Sequence, residues 1–133
     1  MSGDNLSPEG LTALIEERKS KFDIIRSDPI TLLLDLDTEA ALAQYERVLP
    51  IVKAEFSINY IEKWKSKSGN THIAITLSDP FPFEERLALQ AALGSDGVRE
   101  ALSLKCLLNK CTEPSILFRP FGAEITKEII RGS

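Results

Sequence analysis

The sequence predicts an α+β domain, a βαββαβ sheet with helices on one face, preceded by an extra N-terminal helix. Three observations carry this. Short apolar or alternating runs at 30–36, 57–65, 71–77 and 115–118 have the length and residue types of strands. Apolar residues recur at helical spacing after the first and third of these runs. Breakers such as Asp28-Pro29, Ser68-Gly69-Asn70 and Asp79-Pro80 separate the segments. A chain of 133 residues with 43% hydrophobic and 27% charged residues is ordinary for one globular domain, which bounds the fold to a single core.

Residues 1–7 read as a loose lead-in, and the closing Gly132-Ser133 is set aside. The lead-in has no apolar core of the signal-peptide kind, so no signal peptide is expected. The first helix is expected over 8–22. Ser7 is its N-cap, Pro8 its first residue, and Leu11, Leu14, Ile15 and Phe22 its apolar stripe. Asp28-Pro29 stops it, because the residue before proline avoids helical dihedrals. The run 30–36 is apolar except for Asp35, which suits a central strand. Thr38 caps the next helix, whose Ala41, Leu42, Tyr45, Val48, Leu49 and Val52 share a face up to about Ala54. The strands at 57–65 and 71–77 flank a turn at 66–70. Helices are expected over 83–93 and 98–108, and Pro114 precedes the last strand. A tail runs over 121–133. Its amphipathic stretch at 125–130 reads as a helix or as a segment that packs on a partner.

This order is the ferredoxin-like pattern. Right-handed crossovers then place the first and third strands side by side at the sheet centre, antiparallel to each other. Side chains alternate along a strand. Leu32, Leu34 and Leu36 share one face with Ile73, Ile75 and Leu77, and these apolar faces must meet the helices. Asp35, Asp37 and His72 therefore fall together on the other, uncovered face.

Two carboxylates two residues apart repel unless they are solvated or share a cation, and oxygen donors of this kind suit Mg²⁺ or Mn²⁺. The same Asp-Leu-Asp-Thr run also fits a strand entering a helix N-terminus, where acids are favoured by the helix dipole. The turn before His72 adds Lys63, Lys65 and Lys67, the hydroxyls of Ser66 and Ser68, and Gly69. Such a turn forms an anion-binding concavity, although the same residues also make ordinary hairpin turns. A cation site beside a phosphate site matches a nucleoside triphosphate. A phosphate-loop motif and a dinucleotide glycine fingerprint are absent from the sequence, and no serine sits on a nucleophile elbow.

These residues resemble the archaeo-eukaryotic primase superfamily, particularly the primase-polymerases of phages and plasmids. That family has an apolar strand ending in two alternating acids, as in Leu32-Leu33-Leu34-Asp35-Leu36-Asp37. It has a small residue, any residue, then histidine on a strand, as in Gly69-Asn70-Thr71-His72. It has a third acid about two dozen positions later, as in Leu93-Gly94-Ser95-Asp96. The resemblance spans residues 30–120 and implies an RRM-like sheet and a minimal nucleotidyltransferase of DNA replication or repair. It implies that Asp35, Asp37 and Asp96 are catalytic and hold Mg²⁺ or Mn²⁺. It further implies that His72, helped by Ser66, Lys67 and Ser68, contacts a nucleoside triphosphate. Single-stranded DNA as template and other replication proteins are the implied partners.

A second reading is a non-catalytic relative that binds nucleotide, single-stranded nucleic acid or a replication protein. Tyr60 and Trp64 are the aromatic candidates for stacking, with core packing as their commoner fate. A third is an interaction domain whose acids are incidental. The net charge of −4 argues against a surface that wraps duplex DNA. No run of apolar residues is long enough for a membrane span, so no membrane partner and a cytoplasmic location are expected, in a host cell if the chain is phage-encoded. A single histidine and two cysteines are too few for a structural zinc site. Cys106 and Cys111 are expected as free thiols, with a disulfide the less expected alternative.

Overall fold

The computed structural model describes residues 7–130. The expected lead-in, apart from Ser7, and the Gly132-Ser133 pair lie outside the described residues.

Helix α1 spans Pro8–Arg18. The Ser7 hydroxyl accepts the Gly10 N–H at 3.1 Å, the N-cap expected from the sequence. The helix stops short of residue 22, and Phe22–Arg26 forms a strand, β1, where the sequence predicts none. Phe-Asp-Ile-Ile-Arg is aromatic and β-branched, which suits a strand once a partner exists. That partner is β5, Ile116–Pro120, antiparallel with Phe22 opposite Pro120 and Arg26 opposite Ile116. The Phe22 and Phe118 rings lie 5.7 Å apart.

Strand β2 spans Thr31–Leu36 and helix α2 spans Glu39–Glu55, with the Thr38 hydroxyl accepting the Ala41 N–H at 3.0 Å. Strands β3 (Ile58–Lys65) and β4 (Thr71–Leu77) form a hairpin. Helices α3 (Phe83–Ala92) and α4 (Gly97–Leu108) follow, and β6 (Thr126–Ile129) ends the described chain. Among the described residues the architecture is α+β, with four helices, two antiparallel sheets and an element order compatible with βαββαβ.

The main sheet has the order β2-β4-β3-β6, antiparallel throughout. As expected, β2 lies beside β4. It is an edge strand, however, and the fourth strand of the sheet is not β5. Side chains occupy the outer edge of β2 instead. Gln90 Oε1 accepts the Leu33 N–H at 3.0 Å and Ser95 Oγ accepts the Asp35 N–H at 3.0 Å. Arg99 Nη1 donates to the Leu33 carbonyl at 3.1 Å, and Nη2 donates to Ser115 Oγ at 2.8 Å. Ladder groups satisfied this way leave no place for a strand. The amphipathic stretch at 125–130 supplies the fourth strand, β6, and is not a helix. Its alternation puts Lys127 over the Tyr60 ring at 4.1 Å and Glu128 against Lys53 at 3.3 Å.

Leu32, Leu34, Leu36, Ile73, Ile75 and Leu77 pack with Tyr45 and Val52 of α2, as the alternation requires. The second face is not open. Leu33, Trp64 and Ala74 are buried there beneath Leu117 and Ile25 of the β1–β5 ribbon. Its own apolar residues explain the cover, since Leu33 and Trp64 cost about 2 kcal/mol each when left in water. Helix α1 meets α4 and β5 in a third cluster around Leu11, Cys106 and Cys111.

Cys106 and Cys111 are joined by a disulfide, not held as free thiols. Helix α4 ends at Leu108 and Lys110 takes φ +75°, so the chain doubles back and brings the two Cα atoms to 5.4 Å. Among the described residues no helix is long and apolar enough to cross a membrane.

Candidate functional site

Asp35 and His72 are direct cross-strand partners on β2 and β4 and so share a face. His72 Nε2 lies 3.4 Å from Asp35 Oδ1, and Asn70 Nδ2 donates to the same oxygen at 3.3 Å. Burial pushes the Asp35 carboxyl up. The hydrogen bond and charge of His72, the charge of Arg99 and the Asn70 amide outweigh it and hold the group below its usual value of 3.8. Asp35 is therefore a fixed, ionised acceptor. His72 is 7% exposed and stands edge-on to Trp64, ring centroids 5.9 Å apart. Its Nδ1 is buried without a hydrogen-bond partner among the described residues. With Nε2 turned to Asp35, the imidazole orders that carboxylate more than it reaches outward.

The β3–β4 turn lies beside this pair. The Ser66 N–H donates to the Asn70 carbonyl at 2.9 Å and the Asn70 N–H donates to Ser66 Oγ at 3.0 Å. Gly69 has φ +93°, a conformation that a side chain would strain. The turn so closed holds the Ser66 and Ser68 hydroxyls 3.1 Å apart.

A cleft of about 550 Å³ opens over these groups. The structure brings five of the sequence-predicted site residues to its wall: Asp35, Ser66, Lys67, Ser68 and His72. Arg18, Phe22, Asn70 and Phe118 complete it. The Arg18 guanidinium lies 5.2 Å from the centre of the Phe118 ring. The sequence does not mark Arg18, Phe22 and Phe118 as site residues, because they belong to α1 and the β1–β5 ribbon. Only the cover over the second face brings them here. The one strand signal in Phe-Asp-Ile-Ile-Arg is its aromatic and β-branched composition.

Asp37 and Asp96 do not join the cleft wall. Asp37 follows the end of β2 and is exposed. The Asp96 backbone is close, donating its N–H to the Asp35 carbonyl at 2.9 Å. Its carboxylate is turned to α4, where Oδ1 accepts the Val98 N–H at 3.3 Å as the N-cap. Among the described residues no group of three or more His, Cys, Asp or Glu side chains could hold a metal ion. In this arrangement the three acids do not fit a shared Mg²⁺ or Mn²⁺. Tyr60 is half-buried and Trp64 is buried beneath the ribbon, so Trp64 offers no stacking surface.

What remains in the cleft is a set of donors, Lys67, Arg18, Ser66 and Ser68, facing one ionised acceptor, Asp35, along an aromatic wall. Donors of this type hold phosphate oxygens and a carboxylate accepts sugar hydroxyls. Comparison with protein-family models, with curated proteins and with solved structures finds no match to this chain.

Proposed function

We infer that the domain binds a phosphorylated sugar of the nucleotide class in the cleft between the β3–β4 turn and the β1–β5 ribbon. One observation carries the reading: Lys67, Arg18 and the two serine hydroxyls line the same cleft as the ionised Asp35. The cations and hydroxyls suit phosphate oxygens, and Asp35 suits a ribose hydroxyl. His72 and Asn70 keep Asp35 in place. The function this supports is binding without catalysis, serving nucleotide, single-stranded nucleic acid or a replication protein.

Titration of a nucleoside triphosphate onto wild type and Lys67→Ala tests it. Affinity is expected to fall about tenfold in the variant, the factor carried by ~1.4 kcal/mol. Equal affinity in both proteins would remove the cleft as the site.

A second reading is nucleotidyl transfer in DNA replication or repair, with Mg²⁺ or Mn²⁺ and a single-stranded DNA template. It is favoured by the Asp96-to-Asp35 backbone contact, which sets the third acid of the resemblance beside the first. It requires the Asp96 carboxylate to leave its helix cap. Incorporation of labelled nucleotide by wild type and Asp37→Ala decides it, and equal signals from the two would sink it.

A further inference from the structure

A second cavity, about 280 Å³, lies beside the polar cleft. Its walls are apolar, with Leu11 and Leu14 of α1, Val98 and Leu102 of α4, and Ile116 of β5. Phe118 belongs to the lining of both cavities. The two elements that wall them run continuously from one to the other. On α1, Leu11, Leu14 and Arg18 fall on one stripe, the leucines in the groove and Arg18 in the cleft. On β5, Ile116 and Phe118 are two apart and share a face. Phe118 is thus common to an apolar compartment and an anion-binding one, and Arg18, 5.2 Å from the centre of its ring, lines the second.

We propose that the two cavities are one bipartite site, in which the phosphate and sugar occupy the cleft and a nucleobase occupies the apolar groove. This rests on the reading of the cleft as a phosphate site and adds where the rest of the ligand goes. A flat heterocycle suits the groove better than a hydrocarbon chain, because Asp96, Arg99 and Ser103 put polar groups among its walls. Arg99 and Asp96 Oδ1 already have partners within the protein, so Ser103 decides: a hydrocarbon would bury its hydroxyl without a hydrogen bond, whereas the edge of a base offers donors and acceptors. The apolar walls and the Phe118 ring then meet the faces of the base.

The test compares three phosphate monoesters on the full chain by calorimetry: adenosine monophosphate, ribose 5-phosphate and hexyl phosphate. Adenosine monophosphate is expected to bind about tenfold more tightly than ribose 5-phosphate. Val98→Asn is expected to cut that preference several-fold and leave ribose 5-phosphate unchanged. Val98 is 68% exposed, so this variant keeps the fold. Lys67→Ala is expected to weaken all three ligands together. Equal binding of adenosine monophosphate and ribose 5-phosphate overturns the bipartite site while the phosphate reading stands. A full preference retained in Val98→Asn, or hexyl phosphate binding as tightly as adenosine monophosphate, also overturns it. No binding of any of the three removes the phosphate reading itself, and this proposal with it.

Discussion

At the scale of single residues, the interior beside β2 holds a charged network whose effect depends on pH. Glu100 is 6% exposed, accepting from Gln90 Nε2 at 3.0 Å and from Arg99 Nη1 at 2.9 Å. Burial pushes its carboxyl above the usual 4.5, and the charge of Arg99 with hydrogen bonds from Ser95, Gln90 and Arg99 offsets only part of that. The folded state therefore holds the Glu100 proton more tightly than the unfolded chain does. The cost of ionising it is absent below pH 4.5 and fully present above the raised folded value. The stability of wild type relative to Glu100→Gln is expected to fall as pH rises through that window. Denaturant unfolding of both proteins at several pH values measures it, and a flat or rising difference would rule it out. None of this was visible in the chain itself. Glu100 looks like any acid in the first turn of a helix, and only its place beneath the β2 edge buries it.

At the scale of elements, the link between α3 and α4 decides how β2 is finished. Gly94 has φ +95°, and a Cβ there would stand 2.6 Å from the Ala41 carbonyl oxygen of α2. Glycine at this point lets the chain pass over α2 and deliver Ser95 and Asp96 to the edge of β2. Gly94→Ala is expected to cost at least ~2 kcal/mol, from the strained dihedral and the backbone clash together. A thermal or denaturant midpoint equal to wild type would show that α2 yields freely. Helix starts were legible here because capping is local: Ser7 and Thr38 both cap as their sequence positions imply. The strand β1 was not, because a short Phe-Asp-Ile-Ile-Arg run after a helix continues the apolar stripe until a distant partner strand is known.

At the scale of the whole molecule, the main sheet is sandwiched between α2 and α3 on one face and the β1–β5 ribbon on the other. The ribbon is held by Leu117, which is 2% exposed, and its approach is pinned by Arg86. That side chain is 2% exposed and bidentate to Glu113 at 2.7 and 2.8 Å. Leu117→Ala is expected to cost ~2–5 kcal/mol. Trp64, the single tryptophan, packs in the same cluster, so its fluorescence reports the ribbon directly. Fluorescence and far-ultraviolet circular dichroism are expected to give one coincident transition in wild type. An earlier fluorescence transition would mean that the ribbon undocks before the sheet unfolds.

The α+β class, the Ser7 and Thr38 helix caps, the pairing of β2 with β4 and the shared face of Asp35 and His72 followed from the sequence alone. The class, the caps and the shared face rest on residue type and periodicity within a few residues, and the pairing rests on the handedness of crossover connections. So did the gathering of Ser66, Lys67 and Ser68 beside that pair, because a hairpin turn fixes its own neighbours. Tertiary structure alone decided the rest. It placed β5 on β1 instead of on β2, because the side chains of Gln90, Ser95 and Arg99 satisfy that edge first. It covered the face expected to stay open and so made a cleft out of a surface. It also turned the Asp96 carboxylate into a helix cap, since at this point the N–H groups opening α4 compete for the same carboxylate that a metal would need.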